Sequence, residues 1–506
     1  MGESGKGLCI GLDVGTSGLK GIVLAEDGAV VASATADYPL LTPRPGWTEQ
    51  EPETWWRASL EVLRELRSET PGPITAIGLT GQMHGAVFLD RDRQVIRPAI
   101  LWNDQRTAAE CVEIERRVGA KRLREIAGNP ALTGFQAPKV LWLRNHEPDA
   151  YARVKHLLLP KDFIRLRLTG ARATDASDAA GTLLLDLAAR DWSDEILGAL
   201  EIPHRWLPQV FEGPEVTGQI SAEAAGATGL AQGLPVIAGG GDNAAAAVGC
   251  GVVRPGTGFV SLGTSGVVFV PSERLEIDPT GALHAFCHAV PGQYHLMGVV
   301  LSAAGSLRWF RDAIVPEAGR GSGEDPYDRL IGEAAGVAAG ADGLLFLPYL
   351  AGERTPHMDP HARGAWIGLS LAHERRHLVR ALLEGVCFAL RDSLAGMERL
   401  RTVPDLLYVV GGGAKGPLWR QILAAALDVP LQRLAAEEGP AMGAALLAAI
   451  GAGVHEDVEA AVAKAVRPHA PPERPDPELR ATYRRLHASF NLLYPALKQT
   501  GLWTGA

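Results

Sequence analysis

One short pattern occurs twice, half a chain apart: "LCIGLDVGTSGLKGIVL" from Leu8 and "GFVSLGTSGVVFV" from Gly258. Each copy is an apolar run, a Gly-Thr-Ser-Gly turn and a second apolar run, which reads as a tight antiparallel hairpin. Such a repeat restricts the chain to an architecture of two related halves. Around the hairpins, short apolar runs such as "ITAIGLTG" (74–81) and "LPVIAGGG" (234–241) alternate with helical patterns such as "LVRALLEGVCFALRDSLAGMERL" (378–400). That alternation is the grammar of α/β domains. The division falls near residue 244, giving an N-terminal domain 1–244, a C-terminal domain 245–485 and a final helix or tail 486–506. "VPEAGRGSGEDP" (315–326) reads as an exposed loop and "RPHAPPERPDP" (467–477) as a stiff linker to the last helix.

Composition removes several classes of function. A formal net charge of -9 with no long Lys/Arg block argues against nucleic acid as a partner, since phosphate neutralisation needs a concentrated basic surface. The cysteines, Cys9, Cys111, Cys250, Cys287 and Cys387, are odd in number and form no CxxC, which fits a reducing, cytoplasmic compartment. No leader pattern opens the chain, and "GPAMGAALLAAIGAGV" (439–454) reads as a packed Gly/Ala-rich helix rather than a membrane span.

Chemistry-bearing residues gather at strand ends. In "DVGTSG", Asp13 stands beside a turn whose amides and Thr16 and Ser17 hydroxyls could hold phosphate oxygens, with Mg²⁺ bound to Asp13 through water; a plain hairpin turn is the alternative. In the second copy Gly263 and Thr264 occupy the equivalent turn and Ser261 stands where Asp13 does, so one copy alone carries the acid. "GGGAKG" puts Gly411, Gly412 and Gly413 at another strand-to-helix corner, where bare backbone could meet a nucleotide. No Walker-type or protein-kinase motif is present. "LPVIAGGGDNAAAA" sets Asp242 and Asn243 at the start of an Ala-rich helix; its glycines would open the corner to ligand, and Asp242 is either a helix cap or an acceptor facing substrate. "GQMHG" (Gln82, Met83, His84) and "WNDQR" (Trp102, Asn103, Asp104, Arg106) combine an aromatic face with donors and acceptors, which suits a polyol. "HERRH" (373–377) matches the zinc-protease pattern, with no evident third ligand.

Taken together, "DVGTSG", "GQMHG", "WNDQR", "LPKDFIRLRLTG", "SDAAGT", "GGGDNAA", "SLGTSG", "LPYLAGERTPH" and "GGGA" resemble the FGGY carbohydrate kinases over residues 8 to 450. Within that family the pairing of "GQMHG" with "GGGDNAA" is most similar to the members that act on D-xylulose. The resemblance implies an α/β fold of two ribonuclease-H-like (actin-like ATPase) domains flanking a deep cleft. It implies ATP and Mg²⁺, with transfer of the γ-phosphoryl group to the 5-hydroxyl of D-xylulose; another ketopentose or a pentitol is the alternative acceptor. It makes Asp242 the general base and Asp13 the metal-side carboxylate. Met83, His84 and Asn243 become sugar contacts beside Trp102 and Asp104; Thr264 with Gly411, Gly412 and Gly413 becomes the nucleotide set, with Trp309 against adenine. "HERRH" falls inside the family's second signature, which begins "GAWIGL" (364–369), and this favours a structural reading over zinc. Gln136 and Leu382 depart from the family pattern. The expected partners are a small sugar and ATP, with no nucleic acid and no membrane, and a homodimer is compatible with the sequence.

Overall fold

The computed structural model describes residues 7–70, 72–316, 325–435, 438–501 and 503. Most of the expected 315–326 loop, residues 317–324, lies outside the described residues.

In the first half, β1 (Leu8–Val14), β2 (Gly18–Leu24) and β3 (Val30–Asp37) form an antiparallel meander. β3 alternates buried and exposed positions, as expected for an edge strand with one wet face. Pro52 starts α1 (Pro52–Glu69), whose Trp55, Trp56, Val62, Leu63 and Leu66 form one buried stripe. β4 (Ile74–Gly81) then lies parallel to β1. After the inserted helix α2 (Pro160–Thr169), β5 (Val216–Gln219) turns back antiparallel to β6 (Pro235–Gly241), which runs parallel to β4. The six-stranded order is β5-β6-β4-β1-β2-β3, and α3 (Asp242–Gly249) leaves the end of β6.

The second half repeats this plan. β7 (Thr257–Leu262) and β8 (Gly266–Ser272) are the second copy of the hairpin; β9 (His284–Cys287) and β10 (Tyr294–Val300) extend it antiparallel. After α4 (Arg375–Arg399), β11 (Leu406–Val410) pairs parallel with β7, followed by α5 (Pro417–Leu427) and β12 (Leu431–Gln432). The order β9-β10-β8-β7-β11-β12 matches the first sheet around its hairpin.

The chain crosses its own midline once more. α6 (Gly439–Gly451), from the second half of the sequence, packs against the first sheet. A Cβ at Gly11 would lie 1.9 Å from the Ala441 carbonyl oxygen, and one at Gly78 1.9 Å from that of Ala444, so helix and sheet meet backbone on backbone. α3 meets α6 equally closely: a Cβ at Gly443 would stand 1.8 Å from the Ala245 oxygen. This contact explains why both helices are built of Ala and Gly. α7 (Pro477–Gln499) closes the second half, with Tyr483 donating to Glu384 at 2.9 Å and Phe490 buried beneath it. The preceding segment is pinned by reciprocal backbone hydrogen bonds between Leu431 and Glu473.

The three glycines before Asp242 have a different use from the one their sequence suggests. All are buried, and each faces protein rather than ligand. Gly239 has φ 78° at a register shift in β6, where a Cβ would lie 1.7 Å from the Leu79 oxygen. Gly240 faces Ala289 and Gly241 faces the Met83 thioether. Strain at the left-handed position plus overpacking predicts that Gly239→Ala costs about 3 kcal/mol. A clear drop in the first thermal transition by circular dichroism is the expected reading, and a wild-type melt would contradict it.

Candidate active site

Register sets the two acids. Asp13 in β1 aligns with Thr80 in β4, and Thr80 aligns with Gly240 in β6. Asp242 therefore follows a strand end only two strand spacings, about 10 Å, from that of Asp13. Asp13 feels Asp242: it is pushed up to about 7, first by burial and then by the charge of Asp242, against a smaller opposing pull from Lys20. Burial pushes Asp242 up to about 6, opposed by its hydrogen bonds from Asn243. Lys20 is the cross-strand partner of Asp13, and its ammonium pairs with Glu438 at 2.6 Å, just before α6.

Asp242 is not a helix cap. Gly241 holds the cap position and Asp242 begins the helix. Its Oδ1 accepts from the Asn243 backbone at 2.7 Å and from the Asn243 amide at 2.9 Å, and its Oδ2 makes no hydrogen bond among the described residues. One oxygen is thus held while the other is left to accept. The corner itself is braced by a buried polar cluster. Arg165 donates to the carbonyls of Ile237 (2.8 Å) and Ala238 (2.6 Å), and the Gly241 amide donates to Ser177 Oγ at 3.0 Å. Ser177 in turn donates its backbone amide to Asp175, whose carboxylate pairs with Lys161 at 2.8 Å. Lys161 and Arg165 belong to "LPKDFIRLRLTG" and Ser177 to "SDAAGT", which Asp175 just precedes, so those motifs hold up the corner, a role that the sequence did not disclose.

On the sugar side, Met83 is buried between Gly181 and Gly241. His84 has φ 68°, and its carbonyl accepts from the buried Lys139 ammonium at 2.8 Å. Its Nδ1 lies 2.5 Å from the Gly181 carbonyl, so Nδ1 carries the proton and Nε2 is left as an acceptor. Burial drives His84 down to about 3, so the ring is neutral. Gln136, one of the departures from the family pattern, donates to the carbonyls of Gly85 and Leu158 and steadies this segment.

Two sequence expectations need correction here. Asp104 is fully buried with both oxygens occupied, by the Thr48 amide at 2.6 Å and by the Arg106 amide and guanidinium at 2.7 to 2.9 Å. It anchors a loop instead of facing a sugar. The Thr16 hydroxyl is likewise engaged, donating to Gln82 at 3.3 Å and accepting from the Trp102 indole at 2.9 Å, so in that turn Ser17 and the backbone are what remain for a phosphate. Trp102 itself is exposed and shares the lining of a small cavity with His84.

The nucleotide expectations converge in one place. Gly263, Thr264, Gly412 and Gly413 line a cavity of about 440 Å³, with Gly411 packed on Leu262 at its edge. The turn at 263–265 is locked to the following helix by hydrogen bonds from Ala303 and Gly305 to the Thr264 carbonyl. Lys415, from "GGGAKG", completes the wall together with Arg308, Tyr327 and Ile331, which carry no motif that would have announced them. Trp309 does not line this cavity; it stacks on Trp366 with ring centroids 6.0 Å apart.

In "HERRH" the helix begins only at Arg375, with Glu374 as its cap, so His373 and His377 are not successive turns of one helix face. His377 Nδ1 accepts from the Glu374 amide at 2.9 Å and its Nε2 faces Asp342 at 3.2 Å. His373 Nδ1 accepts from the Ser370 amide at 2.8 Å. The pattern is a capping box. Among the described residues no helix is long and apolar enough to cross a membrane.

Comparison with known proteins agrees with this geometry. The N-terminal domain of the FGGY family of carbohydrate kinases matches residues 8–249, and the C-terminal domain of that family matches residues 258–452. The chain is 44% identical to a xylulose kinase of Escherichia coli (strain K12), over 96% of this chain and 99% of the relative. The crystal structure of a kinase from Brucella ovis described as a xyloylose kinase superimposes with a TM-score of 0.91 at 40% identity, covering 97% of this chain and all of the other. A gluconokinase of Bacillus subtilis is more distant, at 28% identity over 89% of both chains.

Proposed function

The chain belongs to the FGGY family of carbohydrate kinases, and from that premise we propose that it transfers the γ-phosphoryl group of ATP to the 5-hydroxyl of D-xylulose. The observation that carries the reading is Asp242: a carboxylate with one oxygen tethered and one free, at a braced strand end beside a second acid. The sugar hydroxyl donates to Asp242 Oδ2, which orients its oxygen and takes the proton as the phosphorus–oxygen bond forms. A carboxylate near 6 is mostly ionised at neutral pH yet is a better base than an exposed one. Met83 and neutral His84 line the sugar side, and Trp102 offers an apolar face to the carbon chain. The second Gly-Thr-Ser-Gly turn and the Gly411 to Gly413 corner supply backbone to ATP from the second half.

Asp13 fits a role toward Mg²⁺, because its Oδ1 is buried without a hydrogen-bond partner. Bound with ATP, the ion would neutralise charge on the phosphate oxygens. Closure of the halves would keep water from the γ-phosphoryl group.

Phosphorus-31 NMR of a reaction with ATP, Mg²⁺ and D-xylulose tests the reading. One phosphomonoester on C5 should form per ADP, whereas inorganic phosphate without a sugar ester would sink it. Both acids must be ionised, so kcat/KM should fall as pH drops through about 7 to 6, the two groups titrating as a pair. A flat profile across that range would remove them from the chemistry.

A further inference from the structure

A cavity of about 30 Å³ lies on the sugar side of the cleft, walled by His84, Trp102 and Phe135 from the first half and by His284, Phe286 and Arg354 from the second. Besides His84 with its open Nε2, two of these carry polar groups without partners. His284 is 1% exposed, and its Nδ1 lies 2.7 Å from Asn129 Oδ1. The Asn129 amide nitrogen donates to the carbonyls of Ala127 (3.0 Å) and Ala285 (2.8 Å), which fixes its oxygen toward the ring. His284 Nδ1 must therefore donate, and Nε2 is a bare acceptor; that atom is buried with no hydrogen-bond partner. Beside it, the Arg354 guanidinium makes no hydrogen bond or ion pair among the described residues; the adjacent Glu353 carboxyl accepts the amides of Leu301 and Arg354 at Oε1, and its Oε2 is buried without a hydrogen-bond partner.

A space of this size holds a water molecule or one hydroxyl group. An unpaired acceptor facing an unpaired cationic donor is costly until one group satisfies both. A hydroxyl does so, donating to Nε2 and accepting from the guanidinium. A carboxylate would suit Arg354 but set its lone pairs against that of Nε2, and a methyl group would pair with neither.

Resting on the kinase reading above, we propose that His284 and Arg354 hold the terminal hydroxyl at the end of the sugar remote from the phosphoryl acceptor, with Asn129 positioning the His284 ring. The pair selects a hydroxymethyl terminus over a carboxylate. Because both residues come from the half that lines the nucleotide cavity, the sugar bridges the cleft.

The test compares D-xylulose with 1-deoxy-D-xylulose, which lacks that hydroxyl, in the wild type, His284→Phe and Arg354→Met. Wild-type kcat/KM should favour D-xylulose by about 10²-fold. Each variant should lose about that factor on D-xylulose and no more than about threefold on the deoxy sugar. Equal losses on both sugars, or wild-type activity of Arg354→Met on D-xylulose, would overturn the proposal. Arg354 is only partly buried, so its variant should fold even where His284→Phe does not. Calorimetric Kd values for the two sugars separate this claim from the reaction. If the wild type binds D-xylulose selectively but transfers no phosphoryl group, the reaction reading fails and the pocket stands; if it binds both sugars equally, the pocket falls.

Discussion

Asp242→Asn is expected to lower kcat on D-xylulose by about 10²- to 10⁴-fold, the usual worth of a positioned acid or base. Asparagine keeps the size of the side chain, and its oxygen can still accept from Asn243, so the start of α3 should survive. What it lacks is an oxygen able to take a proton from the sugar hydroxyl. Sugar Kd should shift little, because Met83 and His84 are held by Gly181, Gly241 and Lys139 rather than by Asp242. Thermal stability should hold or rise slightly, since a buried carboxylate whose ionised form is disfavoured is replaced by a neutral amide. A residue that merely capped a helix would give near wild-type turnover, because asparagine caps as well as aspartate does.

The parts of this molecule that were legible in its sequence are those whose signals are local. Both hairpins begin and end where the Gly-Thr-Ser-Gly turns put them, since a tight turn between apolar runs needs no distant partner. β4 and α4 likewise follow from apolar periodicity. Contacts between distant segments were not legible. "GPAMGAALLAAIG" reads as a packed helix, but nothing in it says that it crosses to the other sheet, where Gly11 and Gly78 receive it. The same limit explains the errors at the site. A carboxylate in a polar loop looks alike whether it faces a ligand or, as at Asp104, an arginine two residues on. Trp309 stands beside the nucleotide cavity in sequence and packs on Trp366 in space. Arg354 lies in "LPYLAGERTPH" without any sign of its role, and His284 had no signal at all, because an unsatisfied nitrogen exists only once Asn129 and the surrounding rings are in place.

The discrimination among acceptors should be at least as large as the effect at Asp242. A pocket with several buried hydrogen-bonding groups rejects an analogue that leaves one unpaired far more strongly than an apolar pocket rejects a missing methylene. Glycerol is too short to reach both Asp242 and the far wall. Xylitol lacks the carbonyl, D-ribulose inverts one hydroxyl, and D-gluconate ends in a carboxylate. ADP release in a coupled assay with saturating ATP and Mg²⁺, run over these sugars, measures the choice of acceptor. D-xylulose should have the highest kcat/KM by about 10²-fold or more over each of the others. A higher value for any of them would contradict the assignment of D-xylulose as the acceptor.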